Sequence, residues 1–492
     1  MKRLFAMLFV VLMAGPVVVA DSPFMPVDHR ELKRTIRYGE MQQFLASLAE
    51  PHVRVTVEGT STLGRDVVLV RLGGEARARW NILFYAQQHG DEISGKDALL
   101  YLIRDIAANP RQLPADTAVW IMPMMNPDGA EAGTRVNGAK ADINRDHMTL
   151  LQPETQALHR VVQRVRPEVA VDCHEFGRSS SAWKKRGWEK WPDITLDRLN
   201  NPLFDRARIE AADRWVEAAA VAEEKAGHLF LRYWVGGVPP DDEQRHSAPD
   251  IDSGMNAIGT YGGLSFIIEA AARSDDGAPE NELANRVDAY LVLLRTFVGD
   301  TSRRAQDLAA IEAARARAMP SFLPVNYLWV NPRGVVTKFP VRRLADGATI
   351  EVPTANLMTE VAVKRSVTTP VAYAIAPPAA DAFAALLERH AIPFERVAAA
   401  RAGVMQRCTL ARLEDEFDEI YARYEGRQIV RCDEAANGTL EPGSLRVALQ
   451  GDAAARAALL LEPMSLYGLL QYPEFRALVA WDGTLPVRRV TR

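Results

Sequence analysis

The residues best suited to chemistry in this chain stand at the ends of apolar runs. His89 and Glu92, spaced as His-x-x-Glu, follow directly on the run from Trp80 to Ala86. A second histidine, His174, closes the run that begins at Pro167, and Glu269 is embedded between Leu264 and Ala271. Catalytic zinc takes three protein ligands from His, Glu, Asp or Cys and keeps a fourth position for water. His89 and Glu92 supply two such ligands, and His174 is the candidate for the third. An unpaired buried carboxylate is costly, so Glu269 needs a partner or a purpose, and a general base beside an activated water is one.

The elements that must position these groups follow from periodicity. The run from Trp80 to Ala86 has the length and composition of a buried strand, and the apolar spacing of Ile93, Leu99, Leu100 and Ile103 predicts a helix after it. His89 and Glu92 therefore fall on a strand-to-helix turn, where Gly90 permits a sharp bend. Ligands of open α/β sheets bind at the carboxyl ends of the strands. Further strands are predicted at 67–72, 118–125, 167–175, 228–235 and 263–271, with helices at 93–108, 153–166 and 203–226. Residues 126–129, Asn-Pro-Asp-Gly, give a strong turn signal. Residues 176–202, with Trp183, Lys184, Lys185, Arg186 and Trp188, read as a long polar rim or lid loop, a basic-aromatic polyanion site being the other reading.

Between the two histidines lies a polar segment with Arg135, Asp142, Asn144, Arg145 and Asp146. A planar guanidinium matches a carboxylate, so Arg145 with Asn144 could hold a free carboxyl end, and Arg135 could polarise a carbonyl. A solvated loop is the plainer reading of the same residues.

Composition narrows the class. With 492 residues, 48% hydrophobic and 25% charged, the chain is a globular protein of more than one core. A net charge of -4 leaves no basic excess for a nucleic-acid partner. Lys2 and Arg3 before the apolar run Leu4–Met13, with small residues up to Ala20, predict a signal peptide at 1–20. The mature protein is then expected to be exported, periplasmic or secreted, with no stable membrane insertion. Cys408 and Cys432 are close enough in sequence to pair in such a compartment, with Cys173 left over; three buried thiols are the alternative.

Taken in order, His89-x-x-Glu92, Arg135, Asn144-Arg145, His174 and Glu269 resemble the zinc metallocarboxypeptidases, the family of carboxypeptidase A, over roughly residues 30–300. The resemblance implies one zinc ion held by His89, Glu92 and His174, with Asp142 orienting a zinc histidine. It further implies Arg135 at the oxyanion, Asn144 and Arg145 at the terminal carboxylate of a peptide substrate, and Glu269 as the base. Two positions depart from the family pattern. The substrate-facing tyrosine has its nearest candidate in Tyr261, with Tyr233 farther back, and Asp146 replaces the usual asparagine after Asn-Arg, adding negative charge near the anchor.

The expected architecture is α/β: a mixed central sheet flanked by helices over 21–300, a helical linker at 301–320, and a second, smaller α/β domain over 321–492. In that last part short strands are predicted near 327–330, 335–341, 350–352, 371–375 and 392–397, with a helix at 378–390. The expected function is zinc-dependent hydrolysis of C-terminal peptide bonds. A cell-wall peptide amidase, an N-acyl amino acid acylase and a catalytically silent peptide-binding module are the alternatives on the same framework.

Overall fold

The computed structural model describes residues 24–73, 78–272, 281–300, 304–418 and 423–491. The expected signal peptide at 1–20 lies outside them. Among the described residues, no helix is long and apolar enough to cross a membrane.

An eight-stranded mixed sheet forms the centre. Its strands are β1 (Val53–Thr60), β2 (Asp66–Leu72), β3 (Trp80–Ala86), β4 (Thr117–Met122), β5 (Val169–Gly177), β6 (Ile194–Arg198), β7 (Phe230–Arg232) and β8 (Leu264–Ala272). They lie in the order β1-β2-β4-β3-β5-β8-β6-β7. Strands β4, β3, β5 and β8 run parallel to their neighbours in that series. That explains why β3, β5 and β8 read as unbroken apolar runs: both faces are covered, chiefly by the helices Ser94–Ala108, Pro153–Val165, Arg206–Ala226 and Asn281–Gly299.

Three local readings change. Residues 176–202 are not one loop: they contain the short helix Ser181–Lys185, the strand Trp188–Lys190, and β6, which joins the central sheet beside β8. The turn at 126–129 opens a short helix, Pro127–Ala132, capped by the Asn126 side chain on Gly129 N. The strand expected at 392–397 shrinks to Glu395–Arg396.

The extra sheets form an additional α/β domain. A six-stranded antiparallel sheet has Ala372–Ile375 and Val487–Val490 at its middle, flanked by the helices Ala380–Arg389 and Ala454–Leu461. The long hairpin Cys408–Asp418 with Arg423–Cys432 is closed by a Cys408–Cys432 disulfide, and Cys173 stays a buried thiol. This domain is sewn to the first. Val341–Arg343 pairs with Trp188–Lys190, and Leu357–Met358 pairs with Gln244–Arg245.

Candidate metal centre and active site

The turn after β3 is built by close packing. Its left-handed residue is Gln87, at φ 58°, whose side-chain amide donates to Gly90 O at 2.8 Å and holds the bend. Gly90 is required for another reason: a Cβ there would stand 2.1 Å from Gly129 C. Backbone contact that tight admits only glycine.

From this turn His89 Nδ1 lies 2.6 Å from Glu92 Oε1, and from the end of β5 His174 Nδ1 lies 2.8 Å from Glu92 Oε2. The two Nδ1 atoms are 3.1 Å apart. His89, Glu92 and His174 each offer a ligand atom, all within 4.8 Å of one another. Behind them, Asp142 Oδ1 sits 3.2 Å from His89 Nε2, and Asp172 Oδ1 sits 3.0 Å from His174 Nε2. A carboxylate at Nε2 keeps the proton there and turns the Nδ1 lone pair toward the shared point. The donor set, its burial and these outer carboxylates fit a divalent metal such as zinc.

Electrostatics agree with a site shaped for positive charge. Burial works against the Glu92 carboxylate, but the two imidazoles hold its pKa well below the usual range. Asp142 is likewise held low, against its burial, by His89, Arg135 and Arg145. Arg135 Nε donates to Asp142 Oδ2 at 2.9 Å, and its Nη1 is 3.2 Å from His89 Nδ1, so the guanidinium stands at the rim of the ligand set.

Register places the fourth acid. Glu269 on β8 is the direct partner of His174 on β5. Its pKa is pushed up to about 7: burial raises it most, His174 opposes, Glu92 raises it further, and His89 and Lys190 oppose. His89, Glu92, His174, Glu269, Arg135, Asn144 and Arg145 all line one cleft of about 650 Å³. Of the two anchor candidates, Arg145 lines the cleft 3.9 Å from Asp252, while the Asn144 amide is engaged below it. Asn144 Oδ1 accepts from Gly254 N at 2.8 Å, and Nδ2 lies 3.3 Å from His174 Nε2.

Tyr261 is not at this site. It precedes β8 at the strand's opposite end, where its hydroxyl meets His159 Nδ1 at 2.9 Å and its ring lies under Arg456. Strand β8 then carries Glu269 away from it. Tyr233, just after β7, lines the cleft instead, and burial together with the nearby Glu269 charge raises its phenol pKa well above the ordinary value. Nor does Asp146 add charge to the anchor. Its carboxylate turns into the following loop, accepting from Thr149 Oγ1 at 2.5 Å and from the amides of Leu151 and Gln152 at 2.8 Å.

Sequence reasoning missed Asp172, Tyr233's place at Glu269, and Lys190, which lies against the Phe176 ring near Glu269. For Asp172 a signal existed: two residues before His174 on a strand, it must point to the same side.

A mixed sheet carrying His89, Glu92 and His174 near its strand ends defines an α/β protein with a candidate metal site. Residues 41–185, which contain every site residue named above from His89 to His174, match the model of the zinc carboxypeptidase family, peptidase M14. Over those residues the chain resembles that family. Carboxypeptidase 2 of Trichophyton tonsurans is 24% identical over 216 residues, 43% of this chain and 40% of that protein. Carboxypeptidase M of Mus musculus is 30% identical over 147 residues, 24% of this chain and 33% of its own length. The alignments thus span well under half of these curated relatives. Among solved structures, a Pseudomonas aeruginosa metallo-carboxypeptidase aligns at 22% identity and TM-score 0.41, over 53% of this chain and 68% of that one. A Burkholderia cenocepacia metallo-carboxypeptidase aligns at 21% and 0.39, over 52% and 66%.

Proposed function

We propose that this protein is a zinc-dependent carboxypeptidase, holding one zinc ion on His89, Glu92 and His174 and releasing C-terminal residues from peptides. The observation that carries the reading is the meeting of these three ligands with Glu269 on the neighbouring strand in one cleft. Zinc, when bound, supplies a Lewis acid that can bring the pKa of water to about 7.

The chain's own residues do the rest. Glu269, with a pKa near 7, accepts a proton from the attacking water and returns it to the departing amine. Arg135 presents its guanidinium to the developing oxyanion; losing one such donor costs roughly 10²- to 10³-fold in rate. Arg145 receives the terminal carboxylate, and Asn144 fixes the floor under it. Tyr233 lines the cleft with Glu269 and takes the substrate-facing place first assigned to Tyr261. Export belongs to the same proposal, supported by the apolar leader and by the Cys408–Cys432 disulfide, which suits an oxidising compartment. So does the division into a catalytic part over 21–300 and a C-terminal domain over 321–492.

Incubation of the purified protein with a peptide library, read by mass spectrometry, tests the reading. Single residues lost from carboxyl ends support it; internal cuts, release of acyl groups, or no cleavage by zinc-loaded protein would overturn it.

A further inference from the structure

The cleft is not closed by the central sheet and its loops alone. Leu466 and Tyr467, from the C-terminal domain, line it together with His89, Glu92, His174 and Glu269. Nothing in the sequence of that domain pointed to the site, because it reaches the cleft from about 200 residues beyond Glu269.

The segment is held there from several sides. Leu466 N donates to Val325 O at 2.9 Å, and the Gln471 side-chain amide donates back to Leu466 O. The Tyr467 ring packs against Tyr327 at 5.9 Å, and Tyr327 accepts from Asn201 Nδ2 of the first domain at 3.0 Å. The same domain also braces the two loops that face the cleft. Under the Arg145 loop, Tyr472 Oη donates to Arg145 O at 3.3 Å, His390 Nε2 meets Met148 O at 2.9 Å, and Arg389 Nη2 donates to Thr149 O at 3.0 Å. Beside the loop 245–253, Arg245 pairs with Met358, and Trp329 Nε1 donates to Ser247 O at 3.2 Å.

We propose that the C-terminal domain is part of the substrate-binding site, and that Tyr467, with Leu466, is a specificity-determining wall contacting an apolar or aromatic side chain of the bound peptide. The inference rests on the carboxypeptidase reading for the identity of the ligand. A wall built from one aliphatic and one aromatic side chain, fixed by backbone hydrogen bonds, recognises by burial rather than by charge. A wall on one side captures part of the burial of such a side chain, which corresponds to about tenfold in affinity.

Tyr467→Leu and Tyr467→Phe, made in the full chain, test the proposal. Kinetics on a peptide panel varied at the last two residues should show, for Tyr467→Leu, KM raised about tenfold on peptides with aromatic side chains, kcat within about twofold, and an altered side-chain ranking. Tyr467→Phe should stay close to wild type. Peptide affinity measured by calorimetry in zinc-loaded Glu269→Gln protein, with and without Tyr467→Leu, gives a second readout that needs no turnover. An unchanged ranking and affinity in Tyr467→Leu would overturn the proposal. So would a uniform fall in kcat accompanied by zinc loss, which would mark Tyr467 as structural. If wild-type protein binds the panel with a Tyr467-dependent ranking yet cleaves nothing, the peptidase reading fails and the wall stands.

Discussion

Replacing Asp172 by asparagine isolates the least expected feature of the metal centre. Asp172 is fully buried, with Oδ1 3.0 Å from His174 Nε2 and Oδ2 accepting from Gln88 Nε2 at 2.8 Å. Asparagine keeps the shape and one acceptor oxygen but removes the charge that polarises His174. A hydrogen bond to a charged group nets about 1.5–3 kcal/mol, and loss of such an outer carboxylate typically costs about 10- to 100-fold in metal affinity. Asp172 and His174 are both buried, so salt should not mask the effect. Zinc affinity would be measured by competition with a chromogenic chelator, with circular dichroism confirming the fold. Asp142→Asn serves as the contrast: Asp142 also binds Arg135 through its Nε at 2.9 Å, so that variant should lose kcat as well as zinc. If Asp172→Asn binds zinc as tightly as wild type, the orienting role assigned to this carboxylate is wrong.

Other outcomes follow from the same geometry. Because Glu269 must be ionised to act, kcat/KM should fall as pH drops through its pKa; that value is about 7 before a cation binds, and a bound dication favours the carboxylate and moves the limb lower. Glu269→Gln should retain zinc, lose about 10²- to 10⁴-fold in kcat and abolish that limb, and a normal rate in this variant would remove Glu269 from the mechanism. Asp146, buried and raised to about 6 against the hydrogen bonds from Thr149, Leu151 and Gln152, contributes stability below pH 4 that is lost as pH rises through 6. The difference from an ordinary aspartate amounts to about 3 kcal/mol, so Asp146→Asn should flatten the stability profile over that window in chemical denaturation. Gly90→Ala should prevent soluble expression, since the added Cβ meets the backbone of Gly129, and a folded, active Gly90→Ala would contradict the packing of this turn.

Much of the candidate metal centre was legible because its residues lie at or near the carboxyl ends of buried strands. The apolar runs leading to His89 and His174, and the one around Glu269, announce the strands, and parallel neighbours make such runs unambiguous. The edge strand β1 escaped notice for the opposite reason: it pairs on one side only, and Val53–Thr60 alternates exposed and half-buried residues without a strong apolar run. The tyrosine was misplaced because closeness in sequence is no guide along an extended strand, where Tyr261 and Glu269 lie toward opposite ends of β8. Tyr233 returns to Glu269 through the pairing of β7 with β6 and of β6 with β8. The cleft wall at Leu466 and Tyr467 had no local signal at all, being set by how the second domain docks.

The central claim is that His89, Glu92 and His174 together bind a metal ion, and metal analysis of the purified protein tests it most directly. Inductively coupled plasma mass spectrometry on wild type and on His174→Ala, after gentle dialysis, should find close to one zinc per chain in the first and almost none in the second. Wild-type protein that neither carries nor takes up zinc, or a His174→Ala variant that binds it equally well, would contradict the account.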